Sequence, residues 1–220
     1  MIEKFAELIK SLPVNEYGCT TKRSTWHQEE KEQFLCFKKL NDSIFNGENK
    51  VFIDRLRIKN LGKTDNIKQF IFETIYWGYP DGFPSRRFNH TEVLLSNIEQ
   101  WVNLIELIKQ EKNILNFKEF YKINVKGVKR LGISTFTKFL SFLDIKVNGF
   151  TPVILDDQIV SRLTHSNFKD SKFAQLTTSD DSKVNHYERY LNHVESLASL
   201  INSTPEKIEM FLFVFGKTVQ

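Results

Sequence analysis

The sequence predicts an all-α fold, and three observations carry that prediction. Apolar residues recur at helical spacing along most of the 220 residues. Alternating runs of the strand type are nearly absent; Val51 to Ile58 (VFIDRLRI) reads equally as a short strand, an extended segment or a helix turn. No internal repeat or linker divides the chain, so one domain over residues 1–220 is expected.

The elements follow in order. Ile2 to Leu12 carries apolar residues at 2, 5, 8, 9 and 12, one helical face, and Pro13 ends it. Residues 14–25 are polar and turn-like, with Lys22 and Arg23 in a short basic loop. Trp26 to Asn46 is the next predicted helix: Phe34, Phe37, Leu40, Ile44 and Phe45 share a face, and Asn46-Gly47 ends it. Thr64 or Asp65 is expected to cap a helix through Ile67, Phe70, Ile71, Thr74 and Ile75 that stops at Trp77-Gly78-Tyr79-Pro80. The loop YPDGFPSRRFNH, stiffened by Pro80 and Pro84, carries aromatic rings followed by Arg86-Arg87. It reads as a surface for nucleic acid, with rings for bases and guanidinium groups for phosphates, or as a structural turn with a solvated basic tip.

Thr91 precedes an amphipathic helix through Val93, Leu94, Ile98, Trp101, Leu104, Ile105 and Ile108. Asn116 is expected to cap a short helix from Phe117 to Ile123. His165 to Lys183, rich in Ser, Thr, Asp and Lys, reads as a long surface loop or a poorly ordered insertion. Helices Val184 to Asn202 and Pro205 to Phe215 close the chain, the last started by Ser203 or Thr204 with Pro205 at its first position.

Composition narrows the function classes. Hydrophobic content of 40% with 26% charged residues describes an ordinary globular protein. No apolar run approaches the length of a membrane span, and the mixed-charge N-terminus is unlike a secretion signal. Cys19 and Cys36 are too few for a disulfide framework or a four-cysteine metal site, so a reducing cytosol is expected. The histidines show no metal-ligand spacing, and nucleotide-binding and G-x-S-x-G fingerprints are absent. A net charge of +4 permits nucleic-acid binding without requiring it. Of the 20 phenylalanines, most are expected in the core, with two or three free to stack on bases.

The stretch from Val125 to Leu163 organises the rest. A glycine-bearing turn, Gly127 to Ser134, leads into an apolar helix with one lysine, Lys138 in TFTKFL. A loop from Asp144 to Pro152 follows, then the apolar run TPVILDD ending on Asp156 and Asp157. Lys138 is either a snorkelling surface lysine or an amine facing a cleft. Asp156 caps the helix Gln158 to Leu163, and a one-residue slip would exchange it with Asp157. Lys138 and Asp156 stand 18 positions apart, so an amine and a carboxylate can face one cleft. That pair suits attack of an amine on a carbon whose developing positive charge a carboxylate stabilises.

In these residues the chain resembles the helix-hairpin-helix DNA glycosylase superfamily, closest to its 8-oxoguanine DNA glycosylase-like branch in bacteria. There a glycine hairpin precedes the catalytic lysine, and a short apolar run presents the catalytic aspartate. The resemblance covers roughly Phe117 to Leu163. It departs at the hairpin, where the G-x-G pattern is reduced to Leu131-Gly132-Ile133-Ser134 with about two extra residues before the lysine. It implies two helical lobes flanking a cleft, Lys138 as nucleophile and Asp156 as its partner. Hairpin amides around Gly127, Gly132 and Ser134 would seat a DNA phosphate, with Lys126, Lys129 and Arg130 adding charge and Arg86 and Arg87 contributing from their loop. A monovalent cation bridging hairpin and phosphate is the sole cofactor implied, and the two cysteines exclude the iron–sulfur cluster of some relatives. EMFLF at Glu209 to Phe213 resembles the base-pocket segment, in which a polar residue and a phenylalanine share a helical face. Trp77 is a further base-pocket candidate.

The expected partner is double-stranded DNA with a damaged or modified base, and the expected place is the bacterial cytoplasm. The expected activity is excision of 8-oxoguanine or a similar purine through a lysine Schiff base, with β-elimination as an optional further step. The resemblance places such an enzyme in base-excision repair or in an anti-phage defence operon with partner proteins of its own. A DNA-binding module without catalysis and an all-α protein-interaction module remain as alternatives.

Overall fold

The structure, a computed structural model, describes residues 2–26, 35–83, 90–166 and 168–217. It is 65% helical, with eleven α-helices and little sheet among the described residues, as an all-α chain requires. Residues 27–34 of the predicted second helix lie outside the described residues, as do Pro84, Arg86 and Arg87. No described helix is long and apolar enough to cross a membrane. The chain forms two compact units, Met1–Val14, Ile108–Lys126 and Gly132–Gln220 in the first, and Asn15–Leu107 with Gly127–Leu131 in the second.

In the second unit β1 (Gly18–Lys22) pairs antiparallel with β2 (Lys50–Asp54), from Gly18 opposite Asp54 to Lys22 opposite Lys50. Gly18 is required there, because a Cβ would lie 2.4 Å from the Ile53 carbonyl oxygen. Helices α2 (Leu35–Phe45), α3 (Arg55–Gly62), α4 (Ile67–Gly78), α5 (His90–Ser96) and most of α6 (Ile98–Gln110) follow. The ambiguous VFIDRLRI therefore divides at Asp54, which ends β2 and caps α3 by accepting from Arg57 N–H at 2.7 Å. Helix α4 is buried on every side from Phe70 to Trp77. Its tyrosine, Tyr76, stacks on Trp26 at 4.3 Å. Its one carboxylate, Glu73, is wholly buried and takes a two-point bond from Arg57 at 2.5 and 2.7 Å, the geometry in which a buried charge is tolerated.

Three expectations need correction in this unit. Gly18–Lys22, within the stretch read as turn-like, is strand β1. Neither Thr64 nor Asp65 caps α4; Asn66 holds that position, and the Thr64 hydroxyl instead accepts from Asn66 N–H. The helix after Thr91 is two helices, broken at Asn97. There the Asn97 side-chain amide donates to the Val93 carbonyl at 2.7 Å, and the Asn97 backbone N–H turns to Leu94 instead. The side chain takes the acceptor that an unbroken helix would give to its own backbone.

The first unit opens with a 3-10 turn, Ile2–Phe5, and α1 (Ala6–Ser11). Later come β3 (Asn113–Ile114), parallel to β4 (Lys146–Val147), and α7 (Phe117–Phe120). The Asn116 side chain caps α7, accepting from Glu119 N–H at 3.1 Å. The predicted helix to Ile123 widens into a π turn, Tyr121–Val125, closed by Lys126 N–H on the Tyr121 carbonyl. Helices α8 (Ile133–Leu143), α9 (Asp157–His165), α10 (Asp180–Leu200) and α11 (Pro205–Phe215) complete the unit. Phe117 packs between Phe136 and Tyr187 at 5.9 and 4.4 Å, and Phe211 packs on Phe5 and Phe168. Among the described residues, ten of eighteen phenylalanines are buried.

The segment read as a long surface loop or a poorly ordered insertion, His165 to Lys183, is largely exposed where it is described, but it is anchored at two apolar residues. Phe173, in a 3-10 turn at Ser171–Phe173, is fully buried, and Leu176 is buried beside it in sequence. The Ser179 side chain caps α10, with Asp180 and Asp181 in its first turn, so this helix begins before the predicted Val184. Thr204 rather than Ser203 stands at the N-cap of α11, with Pro205 next.

Candidate active site

Helix α8 starts at Gly132, its N-cap, and is buried from Thr135 to Phe142. Lys138 is 5% exposed, so its stem lies among apolar neighbours instead of snorkelling outward. Its Nζ donates to the Ser134 carbonyl one turn earlier, at 3.2 Å.

The run after Pro152 is extended and buried through Leu155. Three long-range hydrogen bonds hold its backbone. Tyr187 Oη donates to the Val153 carbonyl at 2.9 Å, Tyr190 Oη donates to the Ile154 carbonyl at 3.0 Å, and Leu155 N–H donates to Thr137 Oγ1 at 3.2 Å. The last bond joins the residue before Lys138 to the residue before Asp156. Asp156 then caps α9, accepting from Ile159 N–H at 3.0 Å, and stays half-buried. The structure therefore brings the predicted lysine and aspartate to adjoining backbone positions. Thr137→Val is expected to leave Leu155 N–H buried without its acceptor. Denaturant unfolding should show a loss of about 1–3 kcal/mol.

Lys183 was not foreseen. It is 3% exposed, and its Nζ donates to Ser134 Oγ at 3.0 Å and to Asp157 at 2.5 Å. Two buried amines thus converge on Ser134, one on its carbonyl and one on its hydroxyl. The sequence held a signal for this. Ser179 as cap, Asp180-Asp181 in a first turn and the apolar series Val184, Tyr187, Leu191, Val194 mark a helix start that puts Lys183 on its buried side.

At the hairpin, Lys126 is exposed with its Nζ 3.4 Å from Asp181. Gly127, Lys129 and Arg130 are exposed too, and Gly127 has open space around the place of a Cβ. Arg130, not a glycine, takes the left-handed turn conformation, at φ 65°. Gly132 faces α10: a Cβ on it would lie 3.3 Å from Asp180 Oδ2. The Tyr121 phenol is held neutral far above its ordinary range by burial, then by the charges of Asp180 and Asp181. A carboxylate of the protein itself therefore stands beside the first turn of α8. A monovalent cation would be held by hairpin carbonyls; those of Val128 and Lys129 each accept one bond, from Leu131 N–H at 3.2 Å and Trp101 Nε1 at 3.1 Å, and each keeps a second lone pair.

Glu209 on α11 is 1% exposed, and Phe213, one turn on, is half-buried. Burial, then the Glu209 charge, pushes the Tyr187 phenol upward, which places Glu209 near the tyrosine that holds Val153. A cavity of about 260 Å³ opens among Leu163, Phe168, His193, Leu197 and Leu212. Trp77 belongs to the second unit, where it packs on Tyr17 at 6.1 Å and lies 5.2 Å from the Arg55 guanidinium. Among the described residues no group of three His, Cys, Asp or Glu could hold a metal ion. Chemically, the first unit offers two amines on Ser134 and one carboxylate, Asp157, bonded to the second of them; amines suit attack on an electrophilic carbon and carboxylates the stabilising of a cation.

A protein-family model described as "Putative 8-oxoguanine DNA glycosylase OGG-like protein" matches residues 12–213. Comparison with curated proteins and with solved structures returns no match.

Proposed function

We propose, from the premise that this chain belongs to the OGG-like glycosylase family, that it excises 8-oxoguanine or a similar modified purine from double-stranded DNA, with Lys138 as nucleophile. The observation that supports this reading is the Leu155 N–H bond to Thr137 Oγ1, which ties the residue before Asp156 to the residue before Lys138. The target nucleotide is flipped out of the stack before reaction. The neutral Lys138 amine attacks C1′, and the glycosidic bond breaks with its electron pair leaving on the base, which takes up a proton. The first amine proton goes to the departing base. The nitrogen lone pair then forms the C=N bond as C1′–O4′ opens with its electron pair on O4′. That oxygen takes a proton from water, leaving the protonated Schiff base. Asp156, half-buried and acceptor-only when ionised, stabilises the positive charge that develops on the sugar. Abstraction of a C2′ proton expels the 3′ phosphate in the elimination step.

The exposed Lys126, Lys129 and Arg130 supply phosphate contacts. Binding to a duplex with an abasic-site analogue is expected to weaken roughly tenfold or more between 50 and 200 mM salt. Single-turnover assays on duplexes with 8-oxoguanine, other modified purines or unmodified bases test the activity. Base release from a modified duplex alone is the expected result. Salt-sensitive binding with no release from any duplex would replace this reading with a DNA-binding module. The same assays on phage DNA and host DNA separate a defence role from base-excision repair.

A further inference from the structure

We infer that the open face of the β1–β2 sheet binds single-stranded nucleic acid: Phe52 stacks on an unpaired base while Lys22 and Lys50 hold the phosphate beside it. The inference goes beyond the reading of Lys138 and uses none of its residues. Three observations carry it, and all lie in the second unit.

The first is the register. Lys22 stands opposite Lys50, Thr20 opposite Phe52 and Gly18 opposite Asp54, so these pairs share one face of the sheet. The residues between them point the other way, where Thr21 and Ile53 are fully buried. The sheet therefore has one core face and one open face.

The second is the ring on the open face. Phe52 is 54% exposed, the one exposed phenylalanine among the described residues. Its ring reaches across to Gly18, with Cζ 2.7 Å from the place of a Cβ there, so only a bare glycine leaves room for it. A ring laid over a cross-strand glycine is held against the sheet. Covering Gly18 uses the ring's inner side, and more than half of the side chain stays in water.

The third is charge. Residues directly opposite on antiparallel strands have their Cβ atoms about 4.5–5.5 Å apart, and like charges so placed repel. Lys22 and Lys50 are both exposed, and among the described residues no carboxylate pairs with either. Asp54, on the same face, caps α3 through Arg57 N–H, Asp42 bonds Arg23, and Glu48 is exposed before β2. An anion between the two ammonium groups removes their repulsion. A nucleotide supplies that anion next to a flat ring for Phe52. The base must be unpaired, because a ring lying on a sheet meets bases by their faces, which a duplex keeps stacked.

Fluorescence anisotropy of the full chain with short labelled oligodeoxythymidine and oligouridine strands tests this, and the tighter strand identifies the sugar. Phe52→Leu keeps an apolar cover for Gly18 and loses the ring, whereas Phe52→Trp keeps a ring. Affinity is expected to fall roughly five- to a hundredfold in Phe52→Leu and to persist in Phe52→Trp. In Lys22→Gln or Lys50→Gln the slope of log affinity against log salt should become shallower by roughly 0.7. Both lysines are exposed, so the slope decides the matter even where Phe52→Leu impairs folding. Equal affinity of Phe52→Leu and wild type would overturn the proposal. An unmoved salt slope would do the same and leave the lysines as guards of an open sheet edge. So would a wild-type chain that binds neither strand, including one that forms a dimer which Phe52→Leu dissociates. The test needs no modified base and no catalysis, so its outcome is independent of the Lys138 assignment.

Discussion

Lys138→Gln is expected to lower single-turnover base release by roughly a thousandfold or more and to abolish the borohydride-trapped adduct, since a nucleophile acts as a unit with its partners. The substitution isolates chemistry from folding. The glutamine amide has a donor for the Ser134 carbonyl that Lys138 Nζ now uses, and it brings no unpaired charge into a helix whose neighbours are Phe, Leu and Thr. Thermal unfolding should therefore stay within a few degrees of wild type. A large drop in unfolding temperature alongside lost activity would place Lys138 among structural groups. Base release that survives with full affinity for DNA would move the nucleophile elsewhere, with Lys183 the nearest amine in the hydrogen-bond pattern.

The second large effect is expected at Asp156, where two roles can be separated. Its side chain caps α9 through Ile159 N–H, and its carboxylate is the proposed partner of the sugar cation. Asp156→Ser keeps a good capping group and removes the charge. Base release should fall roughly a hundredfold or more, with unfolding free energy changed by less than about 1 kcal/mol. Asp156→Ala should lose the same activity and about 1 kcal/mol of stability in addition. Equal activity in Asp156→Ser and wild type would reduce Asp156 to a cap. Retained base release with Asp157→Ser giving the larger loss would show a register one residue further on.

Much of the fold was legible because helices announce themselves locally. Pro205 with Thr204 marks the start of α11, Asn116 marks α7, and the apolar run before Asp156 marks the entry to α9. What stayed hidden depends on partners distant in sequence or on single side chains. The break at Asn97 arises because one amide takes one carbonyl, which an apolar count cannot weigh. The pairing of β1 with β2 depends on a match between residues 18–22 and 50–54. The anchored segment before α10 looked loose because its polar residues outnumber Phe173 and Leu176, yet those two supply the burial.

The site divides the same way. Lys138 and Asp156 are singled out by the resemblance to the glycosylases, since each belongs to a short stretch that matches that family's pattern; their spacing alone leaves Lys138 open between a surface lysine and a cleft amine. What fixes them came only with the fold: Thr137 to Leu155, Tyr187 to Val153, Tyr190 to Ile154 and Lys183 to Asp157 span 18 to 36 positions. The hairpin changed meaning most. Its sequence offers glycines and cations for an anion, and the structure sets Asp180 beside Gly132. The left-handed position falls on Arg130, a residue type that gives no hint of it.

The most direct test is peptide mapping of the wild-type protein after borohydride trapping on a duplex with one abasic site. A single adduct mass on the peptide bearing Lys138, absent from Lys138→Gln, is the predicted result. An adduct on another lysine, or none on a duplex that the protein demonstrably binds, would contradict the assignment of Lys138 as the nucleophile.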